Sequence, residues 1–154
     1  MAIRISIVTV VVVATIAAGG ILWLRTSLPG LSETIRIAGL SGNVDIIHDR
    51  NGIPHIMATT ANDAYLTLGF VHARDRLFQM DFMRRLGAGR LSEVVGGATV
   101  PLDKTMRTLG VHRLAAETFR RLPHDARSAI EAYTAGVNAF LKTRAGALPP
   151  EFIV

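Results

Sequence analysis

Between Ala64 and Leu86 apolar residues recur at intervals of three and four along two stripes, Leu66, Phe70, Ala73, Leu77, Met80 and Ala64, Leu68, Val71, Phe78, Phe82. That is the period of an α-helix met twice over. A helix apolar on more than one side needs packing partners on several sides, so neighbouring segments must cover it. Just upstream, Thr60-Ala61-Asn62-Asp63 has capping-box spacing, predicting that the Thr60 hydroxyl and the Asp63 carboxylate satisfy main-chain N–H groups of the first turn. Asp81 and Arg85 stand four apart with the acid first, and Gly87, after Arg84-Arg85, is the expected helix end.

Before the helix the period changes to that of strands. Val44-Asp45-Ile46-Ile47 and Ile53-Pro54-His55-Ile56-Met57 flank Asn51-Gly52, which predicts a hairpin whose two central residues both take positive φ. Pro54 lacks an N–H and suits a strand start or edge. After the helix, Pro101 to Leu122 and His124 to Arg144 are expected as two more helices split by Pro123, which fits the first turn of the second. Ala126, Ile130, Tyr133, Val137 and Phe140 form that helix's stripe. The two are expected to fold back as a helical hairpin against the Ala64–Leu86 helix. Ala145-Gly146-Ala147-Leu148-Pro149-Pro150 breaks the pattern, and Glu151-Phe152-Ile153-Val154 has neither cap nor polar tail, the ending expected of a chain cut mid-domain.

At the other end, Ile5 to Leu24 is an uncharged apolar run flanked by Arg4 and Arg25. About 20 residues at ~1.5 Å rise span the hydrocarbon core of a bilayer. Residues 1–25 are therefore expected to be a transmembrane anchor, with membrane contact through residues 5–24. The alternative is a cleaved signal peptide with Ile5 to Ile16 as its apolar region and Ala17-Ala18-Gly19-Gly20 as the cleavage zone. Cleavage there would leave Ile21-Leu22-Trp23-Leu24 as an exposed terminus. Either route implies export: an anchored chain facing the periplasm or cell exterior, or one secreted to the periplasm. Residues 26–43, with Pro29-Gly30, Gly39 and Gly42, read as a linker holding one short strand, Thr34 to Ala38.

The absence of cysteine excludes a disulfide framework, a thiolate nucleophile and a Cys metal site. The net charge of +5 raises the question of a nucleic acid, and Arg74, Arg76, Arg84, Arg85 and Arg90 are the candidate phosphate track. On a helix these positions point in different directions, and no aromatic platform is interleaved with them. Solvated arginines plus internal Arg pairs are expected instead, with no nucleic-acid partner. His72 and Asp75 are three apart on one helix face, but a metal needs a third ligand and none is at hand. They are expected in a buried hydrogen-bonded network with Arg76 and Gln79. His48-Asp49 is expected at a strand surface, His55 in the core or at an edge, and His112 and His124 as solvated or capping residues. Gly69, Gly87, Gly89 and Gly136 suit close helix packing or caps, because no strand leads directly into a Gly-rich loop and helix. Ser41-Gly42-Asn43 suits a turn.

Several segments, taken together, resemble one family. They are Arg50-Asn51-Gly52-Ile53-Pro54-His55-Ile56, Gly69-Phe70-Val71-His72-Ala73-Arg74-Asp75-Arg76-Leu77-Phe78-Gln79-Met80 and Arg84-Arg85-Leu86-Gly87-Ala88-Gly89-Arg90-Leu91-Ser92-Glu93-Val94. Further on come Arg107-Thr108-Leu109-Gly110, Glu131-Ala132-Tyr133-Thr134-Ala135-Gly136-Val137-Asn138-Ala139-Phe140 and Leu148-Pro149-Pro150-Glu151-Phe152. In order and separation they are similar to the start of the first chain of the penicillin acylase family, from about Leu40 to the last residue. Arg74 departs from the pattern, since the family usually carries Gln there.

The resemblance implies an N-terminal nucleophile hydrolase. A precursor cuts itself, and the new N-terminal Ser of a larger second chain attacks a linear amide, its own α-amine serving as base. In the family that Ser follows Gly and precedes Asn and aromatic residues. None of Ser6, Ser27, Ser32, Ser41, Ser92 and Ser128 has such neighbours. No catalytic, cofactor-binding or metal residue is therefore assigned in this chain. The calcium known in some members would belong to the complete enzyme, and Glu151 comes too early in the motif order to be one of its ligands. The implied fold class is α+β: residues 44–154 as an incomplete first-chain portion of an α-β-β-α sandwich, short strands with an Asn-Gly hairpin followed by three main helices, preceded by a transmembrane or signal helix. The implied partners are a second chain and a small-molecule amide. The competing reading is a membrane-anchored, non-catalytic helical binding module on the same scaffold.

Overall fold

The computed structural model describes residues 2–27, 34–144 and 150–153, with side chains described in 9–25, 34–144 and 151–152. The chain divides into two compact units, residues 1–33 with 145–153, and residues 34–144 with Val154. The first unit holds helix α1 (Ala2–Ser27) and a 3₁₀ turn at Pro150–Ile153. Along α1, Val10, Val11, Val13, Ile16, Ile21 and Leu22 are exposed. Among the described residues no helix is long and apolar enough to cross a membrane. The first four residues of the expected span, 5–8, have side chains outside the described residues, as do linker residues 28–33 and the break at 145–149.

The second unit begins with an antiparallel hairpin, β1 (Asp45–His48) and β2 (Pro54–Met57), in the register Asp45–Met57, Ile46–Ile56, Ile47–His55, His48–Pro54. Its connection is longer than a two-residue turn. The Asp49 N–H donates to Ile53 O (3.1 Å), and the Gly52 N–H donates to Asp49 O (2.9 Å). Asp49 Oδ1 accepts from the Asn51 and Ile53 N–H groups at 2.8 and 2.9 Å. Only Gly52 has positive φ, 77°, so the expected pair of positive-φ residues is not formed. The Asp49 side chain fixes the turn, and Gly52 supplies the left-handed residue that returns the chain to the ladder. The strand expected at Thr34–Ala38 does not form; among the described residues the sheet has only β1 and β2, and a strand there would have no partner.

Helix α2 (Ala61–Ala88) starts at Thr60, whose Oγ1 accepts from the Asp63 N–H at 3.1 Å. The other half of the expected capping box is diverted. The Asp63 carboxylate accepts instead from the Ser41 N–H at 2.9 Å and the Ser41 hydroxyl at 2.5 Å, tying the preceding loop to the helix. The helix runs past Gly87 and ends at Gly89, which adopts the left-handed conformation (φ 63°) that a helix C-cap favours. It is kinked at Arg76 (φ −139°, ψ 27°). Only its first half is buried: Leu66, Thr67, Gly69, Phe70, Val71 and Ala73.

Beyond Gly89 come a short turn of helix α3 (Ser92–Val95), a 3₁₀ turn at Gly97–Thr99, α4 (Val100–Leu109), α5 (Val111–Arg121) and α6 (His124–Thr143). The single helix expected from Pro101 to Leu122 is thus two, because Gly110 sits at φ 68° and caps α4. Pro123 lies at the N-cap of α6. The expected three-helix contact is largely one pair: α6 packs along α2, while α4 and α5 touch it only lightly. The expected stripe of α6 holds in part, with Tyr133, Val137 and Phe140 half-buried, but its most deeply buried positions are others. Ala132 and Gly136 are buried, whereas Ile130 is exposed. Two glycines set this crossing. A Cβ on Gly69 would lie 2.0 Å from Tyr133 O, and one on Gly136 would lie 1.8 Å from Leu66 O. The close backbone approach lets Phe70 and Phe140 meet edge to face at 5.6 Å between centroids.

Candidate functional site

The polar residues singled out in the sequence are distributed by the fold over three separate places. On the hairpin, His48 projects from β1 towards α2 and its Nε2 lies 2.9 Å from Arg74 Nη2. Arg74 Nε donates to Asp75 Oδ1, also at 2.9 Å. Arg74 thus uses its fork to join strand and helix two residues before the kink at Arg76. Guanidinium has no acceptor, so in this contact His48 Nε2 is the acceptor and its proton sits on Nδ1. His48 is half-buried rather than on the open strand surface. His55 is on the opposite, open face, 3.7 Å from Asp49 Oδ2.

The expected buried network of His72, Asp75, Arg76 and Gln79 does not form, and all four are exposed. His72 turns to α6, with Nδ1 3.0 Å from the Tyr133 hydroxyl and the rings edge to face. Burial raises the Tyr133 phenol above its ordinary value. Asp75 belongs to Arg74. The kink at Arg76 breaks the helical spacing on which the expected network relied. Among the described residues no group of three or more His, Cys, Asp or Glu could hold a metal ion. His112 and His124 are exposed.

The arginines form pairs, as expected, at the end of α2. Asp81 accepts from Arg84 (2.6 Å) and Arg85 (2.7 Å), while Glu93 accepts from Arg85 and Arg90, each at 2.7 Å. Burial pushes the Asp81 carboxyl up, but the two arginines outweigh it and leave it below the ordinary carboxylate range. The Arg90 hydrogen bond does the same for Glu93.

The sequence reading missed a pair of Ser–Asp clasps. In one, Asp63 is 1% exposed and holds Ser41; in the other, Asp103 is 5% exposed and accepts from the Leu91 N–H (2.8 Å), the Ser92 N–H (2.9 Å) and the Ser92 hydroxyl (2.6 Å). Arg107, a turn after Asp103, donates to Gly89 O at 2.7 Å, so α4 grips the chain on both sides of Arg90. Each serine hydroxyl has a carboxylate as its partner, an arrangement that orders a loop rather than activates a nucleophile. The available signal was an Asp inside each helix with a Ser-containing turn elsewhere, which is visible only once the long-range pairing is known.

Both carboxyls titrate below their ordinary value of 3.8, Asp63 because of the Ser41 hydroxyl and N–H bonds, Asp103 because the Ser92 and Leu91 bonds and the Arg107 charge outweigh burial. The sign follows from linkage: a depressed folded value adds stability that is present above 3.8 and is lost as pH falls through the lower folded values. The urea midpoint of unfolding is expected to hold from neutrality to about pH 5 and to fall steeply below about pH 4. In the Ser41→Ala, Ser92→Ala double variant the fall should be shallower. An equally steep fall in that variant would reject these two clasps as its source.

The penicillin amidase family profile matches residues 43–154. Penicillin acylase 2 proenzyme from a Pseudomonas species is 45% identical over 129 residues, which are 84% of this chain and 16% of that protein. The acyl-homoserine lactone acylase QuiP of Pseudomonas aeruginosa is 40% identical over 123 residues, 80% of this chain and 14% of its own length. Among solved structures, a thermostable penicillin G acylase from Alcaligenes faecalis superposes with a TM-score of 0.59 at 32% identity, covering 65% of this chain and 53% of that one. The chain spans about a sixth of the length of the curated relatives it matches. A profile match across the whole hairpin, α2 and α3–α6 region, together with identities of 40% and more and a shared fold, means that this chain belongs to the penicillin amidase family.

Proposed function

We propose that this chain is the N-terminal part of an amidohydrolase that cleaves a linear amide, either the acyl side chain of a β-lactam or an acyl-homoserine lactone. Its nucleophile is the N-terminal Ser of a second polypeptide. The observation that carries the reading is the 45% identity to a penicillin acylase proenzyme over 84% of this chain but only 16% of that protein. The chemistry needs the remainder. An α-amine, with a pKa near 7.7–8.0, is suited to take the proton of an adjacent hydroxyl at neutral pH, whereas Ser41 and Ser92 are each committed to an aspartate. The solved Alcaligenes faecalis chain is matched over 53% of its length, so it is far shorter than the proenzyme, which supports a short first chain beside a longer one.

The apolar run Ile5 to Leu24 favours a membrane anchor that holds this chain on the periplasmic or outer side. On that reading the expressed chain stays with the membrane pellet through an alkaline carbonate wash; release into the wash would replace the anchor with peripheral attachment or a cleaved leader. The activity reading is tested by supplying the downstream coding region in trans and assaying phenylacetyl and acyl-homoserine lactone amides. Hydrolysis that depends on both pieces supports it. A folded chain whose properties do not change when the second piece is present would make it a membrane-anchored, non-catalytic binding module.

A further inference from the structure

The Asn51-Gly52 pair that shapes the hairpin turn also carries a reactivity of its own. Asparagine is among the thermally labile residues, and its weak point is the main-chain nitrogen of the residue that follows. That nitrogen reaches the side-chain carboxamide carbon most easily when its own residue has no Cβ to obstruct the approach. Of the four asparagines, Asn43, Asn62 and Asn138 precede Val44, Asp63 and Ala139, and Asn51 alone precedes a glycine. Asn51 and Gly52 are both exposed, and beyond its chain neighbours nothing lies within 4 Å of a Cβ built on Gly52.

The turn around this pair is latched. The Gly52 N–H, on the nitrogen that would attack, donates to Asp49 O at 2.9 Å. Asp49 Oδ1 bridges the N–H groups on either side of it, those of Asn51 at 2.8 Å and Ile53 at 2.9 Å. The Ile53 hydrogen bond above all holds the Asp49 carboxyl below its ordinary value of 3.8, so the latch is charged at neutral pH. A nitrogen whose proton is bound to a carbonyl, in a backbone pinned on both sides, attacks only when the turn opens.

We propose that Asn51 is a site of spontaneous modification, converting to aspartate and isoaspartate at a rate set by the Asp49 latch. The Gly52 nitrogen gives its proton to solvent base and bonds to Asn51 Cγ; the Cγ–Nδ2 bond breaks, and the side-chain nitrogen leaves as ammonia. A succinimide ring remains. Water adds to either of its carbonyls, and opening one way gives aspartate, the other isoaspartate. Both products place a new negative charge two residues from Asp49. The isoaspartate also threads the main chain through its side chain and lengthens it, so Asp49 Oδ1 no longer bridges the Asn51 and Ile53 N–H groups. Conversion thereby unfastens the turn for good.

The test keeps the full 154-residue chain in detergent micelles in mildly alkaline buffer, with and without urea, and follows each asparagine by peptide mapping and mass spectrometry. In urea, Asn51 is expected to convert at least about tenfold faster than Asn43, Asn62 or Asn138; without urea it should slow by about tenfold or more. The Gly52 amide of the unaltered chain should be protected from hydrogen exchange by a similar factor, a reading that needs no variant. Asp49→Ala should restore most of the urea rate without urea, whereas Asp49→Asn, which keeps an oxygen acceptor, should stay slow. Ser92→Ala, which loosens the chain elsewhere, should leave the rate unchanged. Equal conversion of all four asparagines in urea overturns the site. A Gly52 amide that exchanges freely while Asn51 stays slow, or a rate that Ser92→Ala raises as much as Asp49→Ala, overturns the latch.

Discussion

Gly136→Ala is expected to lower the stability of this chain by about 3 kcal/mol or more, against a typical total of only about 5–15 for a domain. The added methyl would stand 1.8 Å from Leu66 O and 2.8 Å from Phe70 N, both main-chain atoms of α2. A flexible side chain could swing aside, but a helix backbone cannot, so α2 and α6 must move apart. Separation opens the Gly69–Tyr133 approach at the same crossing and loosens the Phe70–Phe140 contact. Gly69→Ala should act similarly, and the double variant should cost less than the sum, because the first methyl has already separated the helices. Gly87→Ala is the control of opposite sign. It lies within α2 with nothing inside 4 Å of the new Cβ, and helix propensity alone predicts a gain of up to about 1 kcal/mol. Urea unfolding of the four variants followed by circular dichroism checks the sign and the size. Equal midpoints for Gly136→Ala and Gly87→Ala would remove the helix crossing as the keystone of the second unit.

That crossing marks the limit of reading the fold from the sequence. The two apolar stripes of α2 were legible because Leu, Phe and Val weigh heavily in a period, and the hairpin because Asn-Gly sits between two branched runs. The deepest positions of α6 were not, because Ala132 and Gly136 contribute almost nothing to a hydrophobic stripe, while Ile130 contributes much and ends up exposed. Glycines at 69 and 136 were expected to serve close packing, and they do, but which two helices would cross there depends on a pairing 67 positions apart. The helix end slid from Gly87 to Gly89 because both are glycines, and only the later one takes the left-handed conformation. Local chemistry also misled where a tertiary partner outbid it: Asp63 was free to complete its capping box and instead holds Ser41, 22 residues away. Arg74 stands on the helix as a visible cation, but the strand histidine it meets is 26 residues distant.

Hydrolysis of a phenylacetyl or acyl-homoserine lactone amide is expected to be at background for the 154-residue chain alone and to rise by up to about 10⁶ when the downstream polypeptide is supplied. That ratio is the order of loss seen when a hydrolase lacks its catalytic serine. The pH dependence should carry the signature of the base. If an α-amine takes the proton from the serine hydroxyl, kcat/KM should climb with pH and level off near 7.7–8.0, where a free amine gives up its own proton. A histidine base would level the profile more than a unit lower, near 6.5, so the profile separates the two sources of activity. Variants of this chain then divide by position. Gly136→Ala, which splits α2 from α6, should fail to complement at 37 °C. His55→Gln, on the exposed face and 3.7 Å from Asp49, should leave the pH profile unshifted, since its imidazole is not the base. A profile that loses its alkaline plateau in His55→Gln would transfer the base to this chain, and the reading of it as a scaffold without catalytic residues would have to be given up.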